Sequence, residues 1–261
     1  MIPGMFGPIQ IRQNSTARYL IMNSQVQGGA LMSPGADIVG MRFGGPGPLS
    51  EALYSMGWVL AGIQRPTASA IIIGLGSGAG ITQLLYTCPG IDVTCIEIDP
   101  AVIQVCRDNF PLIPHYEDTG RLNIVCSDAR EYLQDTRDHW GFGCADAYTG
   151  MTNDLDTSYL GDLLDSCDAL YINAIGTRDG RVISDVVQCC AEHGKPIHEC
   201  FRATEGAKRW DGMANWILTT DPMDWSAVLA ADPFGEIEAP GGYANAQRWL
   251  VFLTTGETIP C

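Results

Sequence analysis

Residues 70–100 constrain this chain more than any other stretch. Ala70-Ile71-Ile72-Ile73 is an unbroken apolar run, mostly β-branched, that ends in Gly74-Leu75-Gly76-Ser77-Gly78-Ala79-Gly80. That glycine-rich turn leads into helical spacing, and Val93-Thr94-Cys95-Ile96-Glu97-Ile98 then reads as a second strand with an acid at its end. Glycines let the backbone turn sharply and come close to a ligand, and an acid at the next strand's tip can accept hydrogen bonds from both ribose hydroxyls. The spacing from Gly74 to Glu97 suits a nucleoside laid across two adjacent strand ends. These residues therefore predict a nucleoside-binding α/β domain.

The rest of the chain extends that pattern. Strands are expected at 69–74, 92–97, 122–126, 142–146, 169–175, 196–201 and 214–220, and helices at 78–87, 100–109, 128–136, 156–166, 179–193 and 223–230. A last strand at 248–254 would complete the sheet edge. Strand-helix alternation of this kind implies a parallel sheet with crossover helices. The expected fold is α/β: a Rossmann-like, seven-stranded, mostly parallel sheet with helices on both faces, preceded by a small N-terminal β-hairpin element. The hairpin is read from two alternating runs, 6–13 and 17–22, around the polar turn Asn14-Ser15. Loops marked by Ser33-Pro34-Gly35 and the Gly/Pro run 44–48 follow, then helical spacing over 49–63 closed by Arg65-Pro66. Two units result, a lead-in element over 1–65 and the main domain over 66–261.

Charge narrows the partners. Thirty Asp and Glu against fifteen Lys and Arg leave a formal net charge of −15. Such a surface repels phosphate backbones, which argues against nucleic acid and favours a small cationic or neutral molecule. No basic leader followed by an apolar run opens the sequence, and no segment approaches about 18 uninterrupted apolar residues, so a cytoplasmic protein with no membrane partner is expected. None of the ten cysteines stands in a Cys-x-x-Cys pair. They read as structural thiols in a reducing compartment, with no metal site.

Ligands of open parallel sheets sit outside the carboxyl ends of the strands, where the strand order reverses. Four groups are expected to converge there: the 74–80 turn, Glu97, Ser127-Asp128 and Asp146-Ala147-Tyr148. Asp128 stands between an apolar run and a helical one, so it can cap the helix, accept from an adenine amino group, or do both. Asp146 ends a strand and is followed by Tyr148 and Gly150. A carboxylate there would face the reacting end of a bound nucleoside and could serve as general base or orient an amine. A plain helix cap or loop turn is the alternative for it.

With these positions in order, most of the chain resembles the spermidine-synthase-like family of the class I S-adenosylmethionine-dependent methyltransferase fold. The segment from Tyr19 to Gln27 resembles the family's run ending in a ligand-binding glutamine, and Gly74 to Gly80, Glu97-Ile98-Asp99-Pro100, Ser127 to Tyr132 and Asp146-Ala147-Tyr148 follow in the family's order. The resemblance implies that Gln27, Gly74, Gly76, Ser77, Gly78, Glu97, Ile98, Asp128 and Ala129 bind the donor nucleoside. Glu97 would hold the ribose, and Asp128 with Ala129 the adenine. Asp146 and Tyr148 would be catalytic. Two departures stand out. Ser77 occupies the place of an acid in the family's Gly-Gly-Gly-Asp-Gly-Gly turn, and Leu49-Ser50-Glu51 stands where a Tyr-His pair precedes a Glu. Those absent groups help hold the aminopropyl end of decarboxylated S-adenosylmethionine in the family. Without them the site better tolerates a donor that keeps its own carboxylate.

The expected function is transfer of an aminopropyl or amino-carboxypropyl type group from S-adenosylmethionine or its decarboxylated form, or cyclisation of the donor, with release of methylthioadenosine. The acceptor would be a small molecule, with amines the leading class, and the assembly a homodimer built through the N-terminal element. Small-molecule methyl transfer is the alternative reading. A nicotinamide oxidoreductase using Gly74, Gly76 and Ala79, and a catalytically silent binding protein, are the more remote ones.

Overall fold

In the computed structural model the described residues are 1–13, 17–31, 56–66, 68–147, 155, 157–176, 180–202 and 214–222. The expected helix at 223–230 and strand at 248–254 lie outside them. So does the part of the expected 49–63 helix that precedes Met56.

The chain opens with a four-stranded antiparallel sheet, β1 (Ile2–Gly4), β2 (Gly7–Gln13), β3 (Ala17–Met22) and β4 (Gln25–Leu31), paired in sequence order. The sequence pointed to one hairpin here; the structure has three. The third turn is made by Asn23 and Ser24, with φ of 48° and 65°. Two successive residues at positive φ match the twist of paired strands, and Asn tolerates that geometry better than most side chains. The residues after the turn are mostly polar or glycine, so β4 does not read as a strand in the sequence.

Helix α1 (Met56–Gln64) leads into the main sheet, whose strands are β5 (Ser69–Ile73), β6 (Asp92–Glu97), β7 (Leu122–Cys126), β8 (Trp140–Ala145), β9 (Cys167–Gly176), β10 (Glu199–Arg202) and β11 (Ala214–Thr219). Their spatial order is β10-β11-β9-β8-β5-β6-β7. The sheet is mixed and mostly parallel, with β11 antiparallel to both of its neighbours. The intervening helices are α2 (Ala79–Thr87), α3 (Pro100–Asn109), α4 (Leu112–Asp118), α5 (Ala129–Asp135), α6 (Leu160–Asp165) and α7 (Arg181–Glu192). Helix α4 was not anticipated, because Pro114 argues against helix. It stands third in α4, where the backbone N–H has no partner within the helix, so the proline costs no hydrogen bond.

Alternation along the strands sorts side chains into two clusters. Ala70, Ile72, Cys95, Cys144 and Tyr171 pack with Trp58, Leu60, Leu84, Val102 and Phe110 from helices α1 to α3 and the chain beyond them. Ile71, Ile73, Ile96, Ala145 and Ile172 pack instead with Leu133, Leu163, Ile183 and Val186 from α5 to α7. A buried parallel strand has apolar residues on both faces, which is why β5 reads as a run rather than an alternation.

Two hydrogen bonds fasten the N-terminal sheet to this domain. Asp99 caps α3, accepting from the Ala101 N–H at 2.8 Å, and its other oxygen accepts from the Met5 N–H at 2.6 Å. The Arg18 guanidinium donates to the Asn109 carbonyl at the far end of the same helix, at 2.7 Å. Replacing Asp99 with Ala removes a cap and a cross-sheet acceptor together, a loss of about 1–3 kcal/mol. Chemical denaturation should show that loss. Hydrogen exchange should quicken over residues 2–13 more than over β5 or β6, and uniform quickening would show that Asp99 does not act as a fastening.

Candidate functional site

Parallel register brings the carboxyl ends of four strands level. Ile73 stands opposite both Ile96 and Ala145, and Glu97 opposite Cys126. Strand order reverses between β5 and β8, which is where an open α/β sheet leaves a crevice.

The glycine turn crosses this edge with φ of 98° at Gly74, 53° at Gly76 and 74° at Gly78. A side chain at any of the three is strained by its backbone alone. Space forbids it too at the outer two: a Cβ on Gly74 would lie 2.9 Å from the Asp146 carbonyl, and one on Gly78 would lie 2.3 Å from Ile113. Gly74 therefore fixes the turn directly against the end of β8.

Glu97 is buried at the tip of β6. One carboxylate oxygen accepts from the Leu75 N–H and the other from the Asp99 N–H, each at 2.9 Å. Burial raises its pKa, opposed by those backbone hydrogen bonds. Each oxygen keeps a second acceptor position, so ribose hydroxyls can still donate to it. Ile98 follows in the connection to α3. Ser127 donates its backbone N–H to the Glu97 carbonyl at 3.1 Å, which sets the start of α5 beside the acid.

Asp128 caps α5 by accepting from the Arg130 N–H at 2.9 Å, with Ala129 the first residue of the helix. The Arg130 side chain also grips the carboxylate, and that hydrogen bond is the main reason its pKa is lowered. The capping role foreseen for Asp128 is thus realised.

Asp146 follows β8, with its N–H bonded to the Ile73 carbonyl. Its Oδ1 accepts from the Asn173 amide at 2.6 Å. Burial raises its pKa to about 7, against the lowering effect of the Asn173 hydrogen bond. Tyr148, the other expected catalytic residue, lies outside the described residues, as do most of the loops flanking it. Asn173 did not emerge from sequence reasoning. The signal was there: an amide in the middle of the otherwise apolar Ala169-Leu170-Tyr171-Ile172-Asn173-Ala174-Ile175. A polar side chain in such a strand needs a partner.

Gln27 reaches the site by an irregularity. In the β3–β4 ladder Leu20 pairs with Gly28 but Ile21 pairs with Val26, so Gln27 is an extra, bulged residue. Bulges re-aim the strand locally. Here the bulge brings β4 onto the turn: the Gln27 carbonyl lies 3.2 Å from where a Gly76 Cβ would be, and a Cβ on Gly28 would lie 2.3 Å from Ser77 Oγ. The structure therefore gathers Gln27, Gly74, Gly76, Ser77, Gly78, Glu97 and Asp146 through a chain of direct contacts, with Ile98, Asp128 and Ala129 beside Glu97. Among the described residues no group of three or more His, Cys, Asp or Glu could hold a metal, and no helix is long and apolar enough to cross a membrane.

The comparisons with known proteins agree with the fold expectation. No protein-family model matches the chain. A polyamine aminopropyltransferase of Clostridium beijerinckii is 29% identical over 72 residues, covering 28% of this chain and 25% of that protein. A second polyamine aminopropyltransferase, from Korarchaeum cryptofilum, is 28% identical over 102 residues, covering 38% of this chain and 28% of that protein. The matches thus span about a quarter of each curated relative's length. A solved structure of a probable spermidine synthase from Corynebacterium glutamicum superposes with a TM-score of 0.63 at 12% identity, covering 88% of this chain and 85% of that one. The superposition shows that the two chains share a fold, which in this chain is a mostly parallel sheet preceded by an N-terminal antiparallel sheet.

The raised pKa of the Asp146 carboxyl makes its contribution to stability depend on pH. An unfolded aspartate has a pKa near ~3.9, well below the folded value, so the folded state binds more protons between the two. The contribution of this group to stability then falls as pH rises from about 4 through about 7, and levels off above. Asp146→Asn removes that dependence. The variant should be more stable than wild type at pH 8 by roughly 1–3 kcal/mol, with the gap closing toward pH 4. Equilibrium denaturation at a series of pH values reads this, and parallel curves would show that the carboxyl is not desolvated.

Proposed function

We propose that this chain is an S-adenosylmethionine-dependent alkyl transferase of the spermidine-synthase-like kind. It would move an aminopropyl or amino-carboxypropyl type group to a small acceptor, amines foremost, or cyclise the donor, and release methylthioadenosine. The observation that carries the reading is the meeting of Gly74 and Asp146 at the sheet's reversal point, with Glu97 one strand away on the other side of the turn.

The residues fit the nucleoside part of such a donor. The turn has bare backbone at three left-handed positions, Glu97 can accept from two hydroxyls, and Asp128 keeps acceptor capacity beyond its Arg130 bonds. When bound, the donor supplies a sulfonium whose three neighbouring carbons are open to displacement. The task left to the protein is to hold donor and acceptor in line, an effect that reaches about 7–11 kcal/mol at its best. Asp146, with a carboxyl that titrates near neutrality, is suited to accept a proton from an amine as that amine attacks. Gln27 and Tyr148 would orient the reacting groups.

Ser77 favours a second reading. It is 2% exposed and pressed against Gly28, and it puts a neutral hydroxyl where the resembled family has an acid. A donor that retains its carboxylate meets no opposing charge there, which supports S-adenosylmethionine itself and leaves small-molecule methyl transfer as the alternative.

Calorimetric titration with S-adenosylmethionine, decarboxylated S-adenosylmethionine, methylthioadenosine and S-adenosylhomocysteine tests both, with mass spectrometry of the incubated donor. The expected result is binding of methylthioadenosine and its appearance from the donor. Tight binding of S-adenosylhomocysteine with methyl loss would favour methyl transfer, and binding of none would overturn the proposal.

A further inference from the structure

We propose that Asn173 is a positioning residue for Asp146: it takes one carboxylate oxygen, fixes the carboxylate in rotation and leaves the other oxygen to meet the acceptor. The inference goes beyond the transferase reading in naming a residue on β9, and its catalytic meaning rests on that reading.

Three observations combine. The first is register. Ala145 of β8 stands beside Ile172 of β9, so the next residues along, Asp146 and Asn173, are neighbours at the tips of two parallel strands. The second is face. Cys144 and Tyr171 belong to the cluster under α1 to α4, whereas Ala145 and Ile172 belong to the other. Alternation therefore turns Asp146 and Asn173 to the same side, the side that also carries α2 and the glycine turn. The third is the bond itself, Asn173 Nδ2 to Asp146 Oδ1 at 2.6 Å, from an amide that is 2% exposed. A buried amide on a strand cannot swing away to solvent, so the carboxylate it holds is fixed in rotation. Oδ2 is then the oxygen that receives a proton.

Fixing the carboxylate also bears on its ionisation. Burial favours the neutral acid and the Asn173 N–H favours the charged form. Among the described residues of the surrounding elements, no cation does this instead. On β8 itself the titratable neighbour is the Cys144 thiol, which is buried and held neutral; β5 presents Gly74, and β9 presents Asn173 with Tyr171 two residues earlier, its hydroxyl bonded away to Asp221. Among the described residues, the amide is thus the group that opposes desolvation.

The test follows the Asp146 carboxyl directly. The carboxyl carbon signal in ¹³C-aspartate-labelled protein, assigned by its loss in Asp146→Asn, gives the titration midpoint without any substrate. Asn173→Leu, close in volume and at home in an apolar strand, should move that midpoint up by about one pH unit, the size of one hydrogen bond to a charged acceptor. Asn173→Ser, which keeps a donor, should move it less, and it serves as the second variant should the leucine impair folding. In the transferase assay the acid limb of the kcat/KM profile should move by the same amount in Asn173→Leu, while the affinity for methylthioadenosine stays unchanged. An unmoved midpoint in a folded Asn173→Leu protein overturns the proposal. The two readings fail separately: absence of nucleoside binding by wild type would sink the transferase assignment, whereas the carboxyl midpoint reports on Asn173 in either case.

Discussion

The carboxylate of Glu97 stands between two backbone amides, one from the glycine turn and one from the cap of the next helix. Much of the sheet's carboxyl-end edge depends on that arrangement. A turn with three left-handed glycines has little intrinsic preference for one path, since glycine gains freedom in the unfolded chain that folding must remove. Anchoring Leu75 to a charged acceptor selects the path. Anchoring Asp99 to the same carboxylate places the side chain of Asp99, which in turn holds both α3 and the first strands of the N-terminal sheet. One buried acid therefore couples three pieces distant in sequence, at the cost of keeping a charge out of water.

The site is thereby assembled from two kinds of part. The sheet supplies rigid positions: parallel pairing fixes where Gly74, Glu97 and Asp146 stand, and side-chain alternation fixes which way they face. The N-terminal sheet supplies a wall laid against them, met chiefly by backbone, as Gly28 and the Gln27 carbonyl approach Ser77 and Gly76. Contacts of this kind depend on the absence of side chains, so they tolerate little at positions 28 and 76.

The fold was legible where the chemistry is local. The β-branched run of β5, the Asp99-Pro100 and Asp128 caps and the strand-helix alternation each declare themselves over a few residues, and the sheet tip they build is where the sequence placed it. What stayed hidden depends on pairing between distant segments. The turn at Asn23 and Ser24 lacks glycine and the residues after it are mostly polar or glycine, so β4 was not read as a strand. Pro114 masked a short helix because its position within the first turn cannot be read before the helix start is known. Asn173 looked like an ordinary strand residue until the register of β9 against β8 set it beside Asp146. The residues gathered around the glycine turn were thus readable from motif and spacing, and Asn173, bonded to Asp146, was not, because no motif contains both.

The bulge at Gln27 gives the outer strand an unexpected rigidity in length. Edge strands usually accept insertions and deletions, since only one neighbour must adjust. Here one residue in excess of the ladder is what carries the strand onto the turn. Removing any single residue between Val26 and Gly28 would let the pairing run regularly, and the strand would draw back from Ser77. Adding one would push further chain into a gap that already excludes a methyl group. A segment at the margin of the fold is in this way counted residue by residue, and descendants of this sequence can change its side chains far more readily than its length.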